Sequence, residues 1–174
     1  MRILATAGVL VLLSGTAWAQ QPAAPPPGRG APAPAPATDL TKGTVMTSAD
    51  LHAAIAKAGD ARPMTSTRVF TLAGDKPYAV AVEHRMPMPQ NASVHETEAE
   101  LFYLIDGSAT MVTGGKLVGE TRNGVNLSGT GIEGGTPTKL NKGDFFMVPE
   151  GVPHWFSQID PGGINVMSVH LPRK

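Results

Sequence analysis

The chain has no cysteine among its 174 residues. That excludes a disulfide framework, a thiolate metal cluster and a cysteine nucleophile. It has no surplus of charge either, with 14 Lys and Arg against 14 Asp and Glu. No global basic field therefore draws it to nucleic acid or to an anionic membrane. Its one long apolar run, from Ile3 to Leu13, stops at Ser14, Gly15 and Thr16. A bilayer span needs about 20 apolar residues, so this run does not read as a membrane anchor. What is plentiful is glycine and proline, 20 and 16 residues. That is too much for a helical bundle and suits an all-β domain, a chain with a disordered part, or both. The length suits one domain.

Three segments follow from the composition. Residues 1–19 read as a signal peptide. Arg2 supplies the positive start, Ile3 to Leu13 the apolar core, and Ala17-Trp18-Ala19 a small-x-small cleavage site. The expected localisation is periplasmic or secreted, with no membrane anchor after cleavage, since no cysteine is available for lipidation. Residues 20–37 hold seven prolines among alanine and glycine and read as a disordered Pro/Ala-rich linker in extended polyproline II, a spacer rather than a proline-motif ligand. Residues 38–174 form the folded domain. Removing Arg2 and Arg29 leaves it 12 Lys and Arg against 14 Asp and Glu, a formal charge of −2.

Within that domain one short N-terminal helix is expected. Thr47 and Asp50 form a capping box, Leu51, Ile55 and Ala58 recur at helical spacing, and Gly59 is a natural stop. After Pro63 the pattern turns to strands: Thr67–Leu72, Tyr78–Met86, Ala99–Asp106, Ala109–Thr113, Phe145–Val148, His154–Gln158 and Ile164–Leu171. Gly- and Pro-containing turns, such as Ala73-Gly74-Asp75, Asp106-Gly107 and Lys142-Gly143-Asp144, separate them. Many short strands behind one helix predict an all-β closed barrel or jelly roll. Eight glycines fall between Gly114 and Thr138, and this stretch is expected to be a long loop near the barrel mouth that could act as a lid. It contains Gly129-Thr130-Gly131-Ile132-Glu133-Gly134, but Gly135-Thr136-Pro137 follows. A dinucleotide loop needs a helix there, so that reading fails.

Two segments carry candidate chemistry. The first is Ser93-Val94-His95-Glu96-Thr97-Glu98-Ala99-Glu100, followed six residues later by Gly107. The second is Gly143, then Pro149-Glu150-Gly151, then His154. Each puts imidazole or carboxylate at a strand end near a tight turn, where side chains of different strands converge in a small barrel. Glu96, Glu98 and Glu100 would share one strand face, about 6.6 Å apart in succession. Three like charges cannot be buried together, so either most sit at a solvated rim or a cation balances at least one. His95 and Glu100 have opposite parity and need a strand irregularity between them to meet.

These segments resemble the paired motifs of the cupin superfamily. Gly143, Pro149, Gly151 and His154 match the second motif, with Gln158 where asparagine is usual. Glu100 and Gly107 match the end of the first motif. His95 takes one of its two histidine positions, while Ser93 or Thr97 stands at the other and the motif's first glycine is missing. The resemblance implies a cupin-type jelly-roll β-barrel, or double-stranded β-helix. It also implies a divalent metal (iron, manganese, zinc, nickel or copper) held by His95, Glu100 and His154. Two histidines and a carboxylate can hold a metal facially and leave positions open.

For the missing ligand, His84 and His170 share parity with apolar neighbours and could point inward, and Glu96 or Glu98 could act as a replacement carboxylate. A histidine on an apolar face can equally be a hydrogen-bonded core residue. The methionines read as filler, and no serine sits in a nucleophile elbow. The expected function is a metal-dependent dioxygenase or isomerase acting on a small organic molecule, with Glu98 or Glu96 as general base. Phe102, Tyr103, Trp155 and His84 would line the pocket. The alternative is a non-catalytic binding or sensing domain with a degraded metal site. A small-molecule ligand and a second copy of the chain, giving a homodimer, are the expected partners. Intact-mass analysis of the exported protein is expected to place its first residue at Gln20, and a product retaining residues 1–19 would contradict the cleavage reading.

Overall fold

The computed structural model describes residues 42–71 and 79–173. The signal peptide, the linker, the start of the domain at residue 38 and the turn at residues 73–75 lie outside the described residues. The helix α1 spans Ser48–Ala58. Thr47 caps it: its Oγ1 accepts from Asp50 N at 3.1 Å, and the Asp50 carboxylate accepts from Thr47 in return. Gly59 ends it at φ 65°, a left-handed conformation that glycine adopts without strain.

Among the described residues thirteen strands follow. They are β1 Met64–Thr71, β2 Ala79–Arg85, β3 Ala92–His95, β4 Glu98–Asp106, β5 Ser108–Thr113, β6 Lys116–Val118 and β7 Thr121–Asn123. Then come β8 Asn126–Gly129, β9 Gly131–Glu133, β10 Thr136–Asn141, β11 Phe145–Val148, β12 His154–Ile159 and β13 Ile164–Pro172. They pair antiparallel into a five-stranded sheet, β1-β2-β13-β4-β11, and a six-stranded sheet, β10-β5-β12-β3-β8-β7, with β6 and β9 as a separate ribbon. Non-sequential neighbours and repeated crossing between two sheets make this a jelly roll of the cupin type.

The Gly-rich stretch is not a loop. It forms β6 to β9, a hairpin inside a ribbon. Its glycines permit close approach: a Cβ on Gly129 would stand 2.7 Å from the Val118 carbonyl oxygen, and Gly131 packs on the Trp155 ring. Alternation was invisible there because these strands are three or four residues long and largely exposed.

The inner faces of the two sheets are divided along their length. At one end lie Phe102 and Leu104 of β4, Ile164 and Val166 of β13, Ala109 and Met111 of β5, Leu140 of β10, Val148 of β11, and Phe156 and Ile159 of β12. Each is nearly or fully buried. A bulge between Phe156 and Gln158 lets Phe156 and Ile159, three apart, both point inward. Toward the other end the same faces turn polar: Phe102 gives way to Glu100 and Glu98, Val166 to Ser168 and His170, and Phe156 to His154.

The outer face of the five-stranded sheet carries Val80, Val82, Tyr103, Ile105 and Met167 beneath Leu51 of α1. His84 lies on this outer face as well, bridging Asn165 at 2.8 Å and Asp60 at 3.1 Å. The parity that His84 shares with Val80 and Val82 is real, but the inward face of β2 is the other one, which carries Ala81, Glu83 and Arg85. The Arg85 guanidinium lies 4.8 Å from the centroid of the buried Phe156 ring. Among the described residues no helix is long and apolar enough to cross a membrane.

Leu104 is fully buried and Phe145 is 65% exposed. Leu104→Ala is expected to lower the unfolding free energy by about 3 kcal/mol, read from urea denaturation, while Phe145→Ala changes it by less than about 0.5 kcal/mol. Equal effects would contradict the placement of the core.

Candidate metal centre

Four side chains from four strands converge at the polar end of the barrel. His95 ends β3, Glu100 lies on β4, His154 opens β12, and His170 lies on β13 directly opposite Glu100 in the register. Three imidazole nitrogens face the one carboxylate. His154 Nε2 lies 3.1 Å and His95 Nε2 3.3 Å from Glu100 Oε2, and His170 Nε2 lies 3.3 Å from Glu100 Oε1. The His95 ring centroid is 5.3 Å from that of His154 and 4.9 Å from that of His170.

His95 and Glu100 meet despite their opposite parity because the strand breaks between them. Glu96 and Thr97 form a bend that carries the chain from the six-stranded sheet to the five-stranded one. Two backbone bonds pin the crossing: Gly151 N donates to His95 O at 2.8 Å, and Arg173 N to Thr97 O at 3.1 Å.

Every imidazole is held from behind. His95 Nδ1 donates to Asn126 Oδ1 at 2.9 Å, His154 Nδ1 to Val152 O at 3.2 Å, and His170 Nδ1 to Glu98 Oε1 at 2.8 Å. A proton on each Nδ1 leaves each Nε2 with a lone pair aimed inward, the arrangement that prepares histidine to ligate a metal. Three lone pairs facing a carboxylate repel one another unless a cation stands between them. The spacing fits a metal. With bonds of about 2.1 Å, neighbouring ligand atoms lie roughly 3.0 Å apart around an octahedral ion and 3.4 Å around a tetrahedral one, and the distances of His154 and His95 from Glu100 Oε2 fall between these. His95, Glu100 and His154 thus make one set of donors close enough to share an ion, and His95, Glu98 and His170 make a second.

Without a metal, protons take that place. Burial favours a neutral Glu100, but hydrogen bonds from His154, His170 and His95 outweigh it and hold the carboxyl well below its usual range. Ser168 Oγ also donates to it, at 2.8 Å. Burial pulls His170 down, yet Glu100 and Glu98 push it up to about 9. His95 is raised for similar reasons, with Glu100 and Asn126 together outweighing its burial.

The structure brings His95, Glu100 and His154 together and adds His170, which the sequence left as one of several substitutes for the missing ligand. Glu98 stands behind His170, with Oε1 3.8 Å from His95 Nδ1. Glu96 does not join them. It lies in the bend, turned outward into a bidentate ion pair with Arg122 at 2.7 and 2.9 Å, so it is removed from the candidate bases.

Of the expected pocket residues, only Phe102 lies inside, its ring 6.0 Å from His154 and 5.4 Å from Phe156. Tyr103 is on the outer face, stacked 4.6 Å from Phe145. Trp155 also points outward, its Nε1 donating to Gln90 O at 2.9 Å. His84 is on the far side of β2. Consecutive residues on a strand face opposite ways, so Phe102 with Tyr103, and His154 with Trp155, could not both line one pocket. Asn126 went unnoticed because it sits in the Gly-rich stretch, which gave no strand signal. His170 had one: its parity with Ile164 and Val166.

Comparison with family models finds no match, and none is found among curated proteins. Solved structures give likenesses at low identity. The cupin domain of Cnp3 from Schizosaccharomyces pombe is 13% identical with a TM-score of 0.47, over 67% of this chain and 66% of that one. BH2720 from Bacillus halodurans is 8% identical with a TM-score of 0.49, over 79% and 87%. KdgF from Halomonas sp. is 14% identical with a TM-score of 0.43, over 67% and 86%. These likenesses concern the path of the chain, and the strand order stated above carries the fold assignment by itself.

The metal-free protein is expected to be most stable in mild acid. The raised His170 contributes fully below its unfolded value of 6.5 and loses that contribution as pH rises through about 9. The depressed Glu100 contributes above 4.5 and loses that as pH falls toward its folded value. Urea midpoints of chelator-treated protein should therefore peak between 4.5 and 6.5 and decline on both sides. A profile flat from pH 6.5 to 9.5 would contradict this.

Proposed function

We propose that this cupin-fold chain is a metal-dependent enzyme acting on a small organic molecule, with the ion held by His95, Glu100, His154 and His170. The observation that carries the proposal is the set of three oxygen acceptors behind the three imidazoles, which leaves every Nε2 lone pair facing the Glu100 carboxylate, those of His154 and His95 at Oε2 and that of His170 at Oε1. Three nitrogens and one oxygen suit iron, manganese, nickel, copper or zinc, and leave room for further ligands on a six-coordinate ion. Such an ion supplies Lewis acidity or oxygen activation when bound, which makes oxygenase or isomerase chemistry the reading favoured here.

The chain's own groups divide the remaining work. Phe102 and Phe156 close the centre off from the apolar half of the barrel and exclude water from that side. Glu100 and His154 are the most enclosed ligands, with side chains 4% and 7% exposed. His95 at 18%, His170 at 23% and Glu98 at 26% form the open side, so substrate approaches there. Glu98 Oε1 accepts a hydrogen bond from His170 Nδ1, and its carboxylate stands at the opening, placed to exchange a proton with substrate. Ser168 fixes the Glu100 carboxylate by donating to Oε1.

Export through residues 1–19 belongs to the same reading, and so does a homodimer. Phe145 and Met147, 65% and 48% exposed, project from the edge strand β11, where a second copy could cover them. A non-catalytic binding domain is the competing reading, and it differs in needing no tightly held metal.

Metal analysis of purified protein after reconstitution should find about one divalent ion per chain, with His154→Ala and His170→Ala each cutting occupancy at least roughly tenfold and Ser93→Ala leaving it unchanged. A wild-type content below about a tenth of an ion per chain would overturn the proposal. Full retention in His170→Ala would return the centre to three ligands.

A further inference from the structure

The three imidazoles differ in what holds their outer nitrogens. Val152, behind His154, is two residues away on the same segment. Glu98, behind His170, is on β4, the strand that pairs with β13 along its length. Both belong to the barrel wall. Asn126, behind His95, lies 31 residues further on, at the start of β8 in the β7–β8 hairpin. That hairpin is at the edge of the six-stranded sheet, it is mostly exposed, and it supplies no residue to the apolar core.

The hairpin is tied to the ligand strand along β8, which pairs with β3 from Ala92–Gly129 to His95–Asn126, and its turn is held at the last of these pairs. Asn126 pairs with His95 in the β3–β8 register. The next residue, Glu96, donates its backbone N–H to Val125 O at 3.1 Å and receives both terminal nitrogens of Arg122. Arg122 also donates to Gly124 O at 3.2 Å. The carboxylate therefore clamps the hairpin turn beside the ligand it follows.

We propose that the β7–β8 hairpin is a positioning arm for the metal centre: Asn126 sets the ligating tautomer of His95, and the Arg122–Glu96 pair keeps Asn126 in place. The inference rests on the metal reading above. A neutral imidazole carries one proton for two nitrogens. Two oxygens compete for it here, Asn126 Oδ1 at Nδ1 and Glu100 Oε2 at Nε2. Glu100 is an anion but stands farther off, at 3.3 Å against 2.9 Å for Asn126, so with Asn126 in place the proton sits on Nδ1. Without Asn126 the proton moves to Nε2, and a nitrogen bearing a proton toward the centre cannot ligate. Glu98 does not replace Asn126, because its Oε1 is 3.8 Å from His95 Nδ1 and is already bonded to His170. Exposed ion pairs contribute little to global stability, so the Arg122–Glu96 bidentate contact acts on local register instead.

The test uses the full chain and the variants Asn126→Leu, Asn126→Ala, Asn126→Asp and Arg122→Gln, with unfolding midpoints confirming that each folds. Long-range proton–nitrogen NMR of metal-free protein at about pH 10, where imidazoles are neutral, reads the His95 tautomer. Competition with a chelator reads Zn2+ affinity. Wild type and Asn126→Asp should show Nδ1–H, whereas Asn126→Leu and Asn126→Ala should shift to Nε2–H and bind Zn2+ roughly ten- to a hundredfold more weakly. Arg122→Gln should weaken binding several-fold alone and not at all in the Asn126→Leu background. Unchanged tautomer in both Asn126→Leu and Asn126→Ala, or Zn2+ affinity within twofold of wild type, would overturn the proposal. Failure of wild type to bind Zn2+ would instead count against the metal reading, and the tautomer comparison would still decide the role of Asn126.

Discussion

The polar half of this barrel is organised around one buried carboxylate. Glu100 is 4% exposed and lies among three imidazoles and a serine hydroxyl. An anion removed from water this far requires a compensating positive charge within a few ångströms. Protons on His170 and His95 or a metal ion can supply it, and these exclude one another, because a ligating imidazole must be neutral. The occupant of the centre and the ionisation of its ligands are thus a single equilibrium. The same shortage of positive charge that raises His170 and His95 in the metal-free protein favours a divalent ion when one is present.

The rest of the fold keeps that carboxylate in place. β13 and β4 pair along nearly their full length, putting His170 beside Glu100 and Ser168 beside Phe102. Leu104, Val166 and Ile164 continue the same faces into the apolar core. The layers at either end of one strand pair therefore fix the centre: close packing on the apolar side sets strand spacing to within a methyl group, and hydrogen bonds on the polar side set side-chain direction. The bulge in β12 serves both, since it keeps Phe156 inward next to His154 while returning Ile159 to the core.

Some of this is written in the local sequence and some is not. The α1 cap was legible because its chemistry is complete within Thr47, Asp50 and Gly59. The long strands were legible from alternating apolar residues. The strands β3 and β6 to β10 were not, since each is short or exposed, and Gly129 and Gly131 serve close contacts that pattern does not reveal. Parity could pair Ile164, Val166 and His170 on one face, but only the sheet order shows that this face looks at Glu100. For His84 the same reasoning pointed inward, but the side chain is on the outer face, since on β2 the apolar residues Val80 and Val82 pack under the helix and the charged Glu83 and Arg85 point inward. Two-sided burial erases the link between apolar and inward that parity needs.

His170, the proposed fourth ligand, shows why a motif and a metal centre are different things. A sequence motif fixes spacing along one strand, whereas a coordination shell only requires donor atoms within a few ångströms of a point. In an antiparallel barrel, each inward residue has neighbours two positions away on its own strand and directly across on the next. Glu100 has His170 directly across on β13, so a histidine there reaches the carboxylate as well as one two residues from His95 would. The register His170 to Glu100 depends on the bulge at Asn165 and Val166, which sets the β13–β4 alignment from that point to Pro172. Sliding β13 by one residue would turn His170 outward and bring a leucine or a valine to face Glu100. The proposed ligand set is therefore specified by strand register as much as by residue identity.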